Sequence, residues 1–238
     1  MKPYQTIPII ECHEPLVPIP DDRFILENPP PYVKLGADYQ GKSPYYLRKE
    51  VLSRLLMAKT KLGEIKPHWH IKIFDAYRPV SVQQFMVDYT FTSICNDRNL
   101  EANMLTSWEK ASIYDEVYQI WAIPNDNPLT PPPHSTGSAI DLTLVDDNGI
   151  DVNMGGQIDE LSPRSNPDYY KNSTDSQDVV FHKNREILLE IMIYGGFRRH
   201  QGEWWHFSYG DQMWAWLQNL DHPSLNTIAK YGRIVDIN

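Results

Sequence analysis

The sequence predicts an α+β fold: a single domain with a central, mainly antiparallel sheet flanked by helices. Three observations predict it. Segments with apolar residues at helical spacing are mixed along the chain with short alternating runs. A strong hairpin signal, Asp147-Asn148-Gly149, follows one of those runs. A length of 238 residues without internal repeats suits one domain over 1–238, large enough to fold without staples.

Residues 1–43 carry Pro3, Pro8, Pro15, Pro18, Pro20 and the run Pro29-Pro30-Pro31. Proline denies ladder hydrogen bonds, so this region is expected to be an extended arm wrapped on the domain, with few regular elements. From Pro44 to Leu62 a helix is expected, because Leu47, Val51, Leu55 and Ala58 recur at helical spacing and Gly63 follows as a stop. HWHIKIFDAY (68–77) alternates as a strand, with Trp69, Ile71 and Ile73 on one face. Pro79 suits the first turn of a helix reaching about Cys95, and a third helix is expected from Ser107 to Trp121.

SAIDLTLVDD (138–147) reads as a strand whose turn leads into a second one. Residues 155–178 are polar throughout, and a loop of that length is expected to be functional or mobile. A helix from about Lys183 to Tyr194 buries Ile187, Leu188, Ile191 and Met192, with Gly195-Gly196 as its cap. GEWWHFSYG (202–210) is strand-like, and DQMWAWLQ is a last amphipathic helix.

A formal charge of −9 with no basic run longer than two residues argues against a nucleic-acid surface. The opening MKPYQTIPIIECHEPLVPIP has no uninterrupted apolar stretch of the signal-peptide kind. No apolar run approaches the roughly 18 residues of a membrane span. A cytoplasmic location without membrane partners is the expectation. Cys12 and Cys95 are too few for a disulfide scaffold or a thiolate zinc site, and whether they pair stays open.

Chemistry concentrates in three places. In PPHSTGSAIDLTL, alternation puts Ala139, Asp141 and Thr143 on one strand face and sends Ile140, Leu142 and Leu144 to the core. His134 and Asp141 are seven residues apart, so they converge only if the chain turns at Thr136-Gly137. The alternative is a polar turn with a solvated aspartate. Glu203 stands three residues before His206. In a strand those two face opposite ways, so a bulge or a strand start at Glu203 is expected; the alternative is a strand with a wet edge. Taken together, His134, Asp141 and His206 make a two-imidazole, one-carboxylate set of the catalytic zinc type, with Glu203 as a carboxylate that is not a ligand. In FDAYRP, Arg78 offers a planar fork of donors for an oxyanion, or an ion pair to Asp75. His68 and His70 have ligand spacing on a strand, but Lys72 marks that face as solvated. His13, His182, His200 and His222 are expected at the surface.

The set FDAYRP, HSTGSAIDLTL, MGGQID and NREILLEIMIYGGFRRHQGEWWHF, spanning roughly residues 45 to 210, resembles the VanX-type D-Ala-D-Ala dipeptidases. These are zinc peptidases that share a fold with D,D-carboxypeptidases and the hedgehog signalling domain. The resemblance implies a hedgehog-like fold and one Zn2+ per chain on His134, Asp141 and His206. It implies Glu203 as general base, Arg78 as the group that stabilises the tetrahedral intermediate, and Asp159 as a contact for the amino group of a small dipeptide substrate. Where the family has a small polar residue two positions before the first ligand, this chain has Pro132. Two rivals stay open at this point: a D,D- or L,D-carboxypeptidase acting on peptidoglycan stems, and a catalytically silent zinc-containing binding module.

Overall fold

The computed structural model describes residues 2–234, and the proline-rich arm within it is not wholly irregular. It holds a 3-10 turn (Pro3–Thr6), strand β1 (Leu16–Pro18), strand β2 (Ile25–Leu26) and a single helical turn, α1 (Pro31–Lys34). Each is short, as proline dictates, yet β2 joins the edge of the central sheet in parallel.

Strand β3 (Tyr46–Arg48) pairs antiparallel with β1, so helix α2 starts only at Lys49 and runs to Ile65. Leu47 shares the helical spacing of Val51 and Leu55 but is spent on that ribbon. Gly63 does not stop α2. It sits exposed in the last turn, a Cβ added there meets nothing within 4 Å, and Pro67 lies just beyond the end. Gly63→Ala is therefore expected to stabilise the protein by about 0.5–1 kcal/mol through helix propensity. Thermal unfolding checks this: a Tm that fails to rise would contradict a helical Gly63.

Strand β4 (His70–Asp75) leads to α3 (Val80–Asp97), with Pro79 as its N-cap, and then to α4 (Ser107–Val117), which a Thr106–Glu109 capping box opens. α4 ends four residues short of Trp121, because the chain turns there to bury that ring edge-on to Tyr32. Strand β5 (Ala139–Val145) follows. The Asp147-Asn148-Gly149 turn forms, with Gly149 at φ 77°, but the expected second strand shrinks to one Val145–Asp151 bridge. Further along the same edge of β5, Leu142 N–H already donates to the Trp205 carbonyl.

Helix α5 (Ser176–Tyr194) begins seven residues before the expected start at Lys183, because Asp175 caps it by accepting from the N–H groups of Gln177 and Asp178. Strands β6 (Arg198–Arg199) and β7 (His206–Ser208) and helix α6 (Gln212–Asp221) complete the fold. Only three residues of GEWWHFSYG are strand. Among the described residues, no helix is long and apolar enough to cross a membrane. Cys12 is exposed and Cys95 buried, and neither is in a disulfide.

The central sheet has the order β2-β4-β5-β7-β6 and is antiparallel except at the β2–β4 edge. This is the α+β architecture that the pattern predicted. One sheet face packs on α2 and α5 through Ile71, Ile73, Ile140, Leu142, Leu188 and Phe207, all at 1% exposure or less. Burial of this kind contributes about 1.5–3 kcal/mol per large apolar side chain and makes the sheet a rigid platform. A second cluster around α3 and α4 includes Tyr32, Val117 and Trp121. Between that cluster and α6 lies the polar cleft described next.

Candidate active site and metal centre

His134 projects from a 3-10 turn (Pro133–Thr136), and Gly137 reverses the chain with φ 71° before β5 carries Asp141 inward. A Cβ at Gly137 would lie 2.3 Å from Leu16 Cδ2, so both the conformation and the space demand glycine. Asp141 and His206 are direct partners in the β5–β7 ladder, which is what joins the two distant motifs. Asp141 is 2% exposed: its strand face is not solvated but turned into the cleft.

The three side chains converge. His134 Nε2 lies 3.1 Å from His206 Nδ1 and 3.2 Å from Asp141 Oδ2, and His206 Nδ1 lies 3.0 Å from Asp141 Oδ1. His134 Nδ1–H donates to the Ala76 carbonyl at 2.7 Å, which leaves the Nε2 lone pair facing the other two groups. His206 Nε2 is buried without a partner. Burial opposes ionisation of Asp141, but the two histidines outweigh it and hold the carboxyl well below the usual range. Tetrahedral zinc with bonds near 2.0–2.1 Å separates its ligand atoms by about 3.3 Å. The two nitrogens are 3.1 Å apart, near that spacing, each has an Asp141 oxygen within 3.2 Å, and the three residues can bring one ligand atom each within 4.8 Å of the others, so the donor set fits such an ion.

Glu203 is 8% exposed and sits in the bend before β7, which starts at His206; neither a bulge nor a strand start occurs at Glu203. The bend is pinned by Trp204 and Trp205, both buried, and by Trp204 N–H donating to the Ser165 carbonyl. From there the Glu203 carboxylate comes within 3.7 Å of His206 Nδ1 and 3.5 Å of His200 Nδ1. Burial pushes its carboxyl well above the usual range, and the charges of Asp141 and Asp159 add to that. His200 is not a surface residue. It lines the same cleft, and burial together with the neighbouring His206 lowers its imidazole to about 3, so it is neutral.

Arg78 is 4% exposed and satisfies both readings of its motif. Its Nε–H donates to Asp75 Oδ2 at 2.9 Å, Nη1 to Gln83 Oε1 at 2.9 Å, and Nη2 to the Tyr32 hydroxyl at 2.8 Å and Asp141 Oδ2 at 3.1 Å. The rings of Tyr32 and Trp121 flank the guanidinium at 4.6 and 5.1 Å. Asp75 reaches this network because β4 shifts register by one residue between Ile73 and Asp75. A bulge of this kind re-aims a side chain, and here it sets Asp75 opposite Asp141. The bulge lies in β4, not at Glu203.

Asp159 stands in the 155–178 loop with φ 63° and accepts from the Tyr32 hydroxyl at 2.9 Å. It lines the cleft with His134, Asp141, Glu203 and His206. It is half-buried, with its surface opening to the cleft. That burial, then the charge of Asp141, pushes its carboxyl up to about 7, against the pull of Arg78. The loop is fastened. Buried Arg185 of α5 donates to the carbonyls of Met154, Asn166 and Arg164, and Gly155 lies against Tyr170 and Phe181.

All six residues singled out from sequence thus border one cleft. Sequence reasoning missed Tyr32 and Lys2, which the arm supplies, as well as Trp121 and His200, whereas Asp75 is the ion-pair partner that the FDAYRP motif offers. Of these only His200 had a signal, its place three residues before Glu203. His68 and His70 are exposed and away from the cleft, while Lys72 pairs with Glu27 and Asp151.

A family model described as D-ala-D-ala dipeptidase matches residues 27–228. A D-alanyl-D-alanine dipeptidase of Synechocystis sp. is 54% identical over 240 residues, covering 98% of this chain and 97% of its own. An Escherichia coli protein of the same description is 43% identical over 74 residues, covering 31% of this chain and 36% of its own. Among solved structures, the LdcB LD-carboxypeptidase aligns over 94% of this chain and 83% of its own, at 16% identity and a TM-score of 0.46. VanYB in complex with D-Alanine-D-Alanine aligns over 89% of each chain at 15% identity and a TM-score of 0.41. Both structural likenesses are remote.

Proposed function

The chain belongs to the D-Ala-D-Ala dipeptidase family of metallopeptidases, and from that premise we propose that it hydrolyses D-alanyl-D-alanine with one zinc ion held by His134, Asp141 and His206. The observation that carries the reading is the convergence of two imidazole nitrogens, 3.1 Å apart, on the two oxygens of the Asp141 carboxylate at 3.0 and 3.2 Å, with a carboxylate that is not a ligand beside them. Zinc held there supplies Lewis acidity and brings the pKa of a water down to about 7.

The protein's own groups divide the remaining work. Glu203 takes a proton from the attacking water and returns it to the departing amine; its burial makes it a stronger base than a surface glutamate. Arg78, locked flat by Asp75, Gln83, Tyr32 and Asp141, keeps one Nη1 N–H and its positive charge for the oxygen that becomes negative. Locking matters because a preorganised donor needs no rearrangement as charge develops. Asp159 meets the substrate's free ammonium, which would be costly to bury unpaired. Tyr32 bonds both Arg78 and Asp159, and so fixes the distance between the amino-end contact and the reacting carbonyl.

Alanine release from D-Ala-D-Ala and from its N-acetyl derivative tests this reading. The free dipeptide is expected to be cleaved at least about tenfold more efficiently, the scale of one charge-assisted contact. Asp159→Asn is expected to erase most of that preference. Equal cleavage of the acylated substrate would remove Asp159 from its role and favour a carboxypeptidase acting on longer stems.

A further inference from the structure

A zwitterionic dipeptide brings a third feature to the cleft besides its ammonium and its scissile amide: a C-terminal carboxylate. Burying that charge unpaired would be costly, so a cation or a set of N–H or O–H donors must face it. Pro132 and Pro133, just before the His134 ligand, offer neither a hydroxyl nor an N–H. The cations that line the cleft are Arg78 and Lys2. Arg78 is engaged by two carboxylates, a tyrosine and a glutamine. His200 lies close by but is held neutral.

Lys2 differs from both. Among the described residues its ammonium has no ion-pair partner, although it is near enough to Glu203 and His200 for its charge to favour the carboxylate of one and oppose protonation of the other. The arm that carries Lys2 is built into the cleft wall. Tyr4, 7% exposed, packs on Met213 and Leu217 of α6 and lines the same cleft. Gln212 Nε2 donates to the carbonyls of Ile7 at 2.7 Å and Leu129 at 2.9 Å, tying the arm to α6 and to the segment before His134. Farther along, Ile9 bridges to Ala229. The cleft has only about 40 Å3 clear for a water-sized body, so a dipeptide enters as wall side chains turn aside. The flexible four-carbon stem of a lysine suits a wall that must yield and then follow its ligand.

Resting on the dipeptidase reading, we propose that Lys2 is the specificity residue for the substrate's C-terminal carboxylate, pairing with it from the arm side of the cleft while Asp159 holds the ammonium at the other end. This makes the arm part of the binding site, and it places at Lys2 a contact that the prolines before His134 cannot provide.

The test compares zinc-loaded wild type, Lys2→Met and Lys2→Arg on D-Ala-D-Ala and on D-Ala-D-alaninamide, whose C-terminus carries no charge. Lys2→Met is expected to raise KM for the free acid by about 10- to 100-fold, with a smaller change in kcat. The preference for acid over amide should shrink by the same factor, and Lys2→Arg should keep most of it. Calorimetry supplies a readout without turnover: adding Lys2→Met to a Glu203→Ala background should weaken D-Ala-D-Ala binding by a like factor. An unchanged acid-to-amide preference in Lys2→Met, with wild type cleaving D-Ala-D-Ala, overturns the role of Lys2 and leaves the dipeptidase reading standing. No cleavage of D-Ala-D-Ala by wild type overturns both.

Discussion

Glu203→Gln is expected to lower kcat for D-Ala-D-Ala by about a hundred- to ten-thousand-fold, the range general-base catalysis supplies, while the protein keeps its metal. The amide has the shape of the carboxylate but no basic lone pair for a proton. Glu203 stands 3.7 Å from His206 Nδ1, farther than any distance within the ligand triangle, so its loss leaves that triangle intact. Its place in the fold is set by the buried Trp204 and Trp205 and not by its own charge, so the variant should fold. Steady-state alanine release and metal content, measured on one preparation, check both halves. Activity within tenfold of wild type would refute the assignment, and loss of metal alongside activity would make Glu203 a ligand.

Removal of the metal by a chelator is expected to abolish turnover altogether, and one equivalent of zinc per chain is expected to restore it. The fold should survive stripping, because each ligand has a second tether. His134 is held by the Ala76 carbonyl, Asp141 by Arg78, and His206 by the β5–β7 ladder. Stability should nonetheless drop, since an ion that binds only the folded state adds to it by mass action. Circular dichroism should therefore be unchanged at 25 °C while Tm falls by several degrees. Chelator-resistant activity in protein shown to be metal-free would refute the proposed zinc dependence.

The candidate ligand set could be picked out because its members announce themselves locally. His134 and Asp141 flank a glycine turn, and Glu203 and His206 share one short stretch. What sequence could not supply was register. Nothing in either motif says that Asp141 faces His206 across β5 and β7, nor that β4 slips by one residue to present Asp75. Helix ends were misplaced wherever a tertiary contact overrode local spacing, as with Leu47 in the β1–β3 ribbon and Trp121 turned in against Tyr32. The arm was the least readable part. Its prolines erase periodicity, so the role of Tyr32 rests on a contact with Asp159, more than a hundred positions away, and that of Lys2 on its place in the cleft wall beside residues equally distant in sequence.

The β1–β3 ribbon carries one more residue on which the centre depends, the buried Arg48. Its guanidinium donates to the Thr136 carbonyl in the turn of His134, to the Glu14 carbonyl and the Glu11 carboxylate in the arm, and to the Gly232 carbonyl. One side chain therefore reaches a partner 184 positions away. The turn that carries His134 thus shares its anchor with the arm and with the stretch around Gly232, so a change at either distant place can loosen the candidate metal site without touching it.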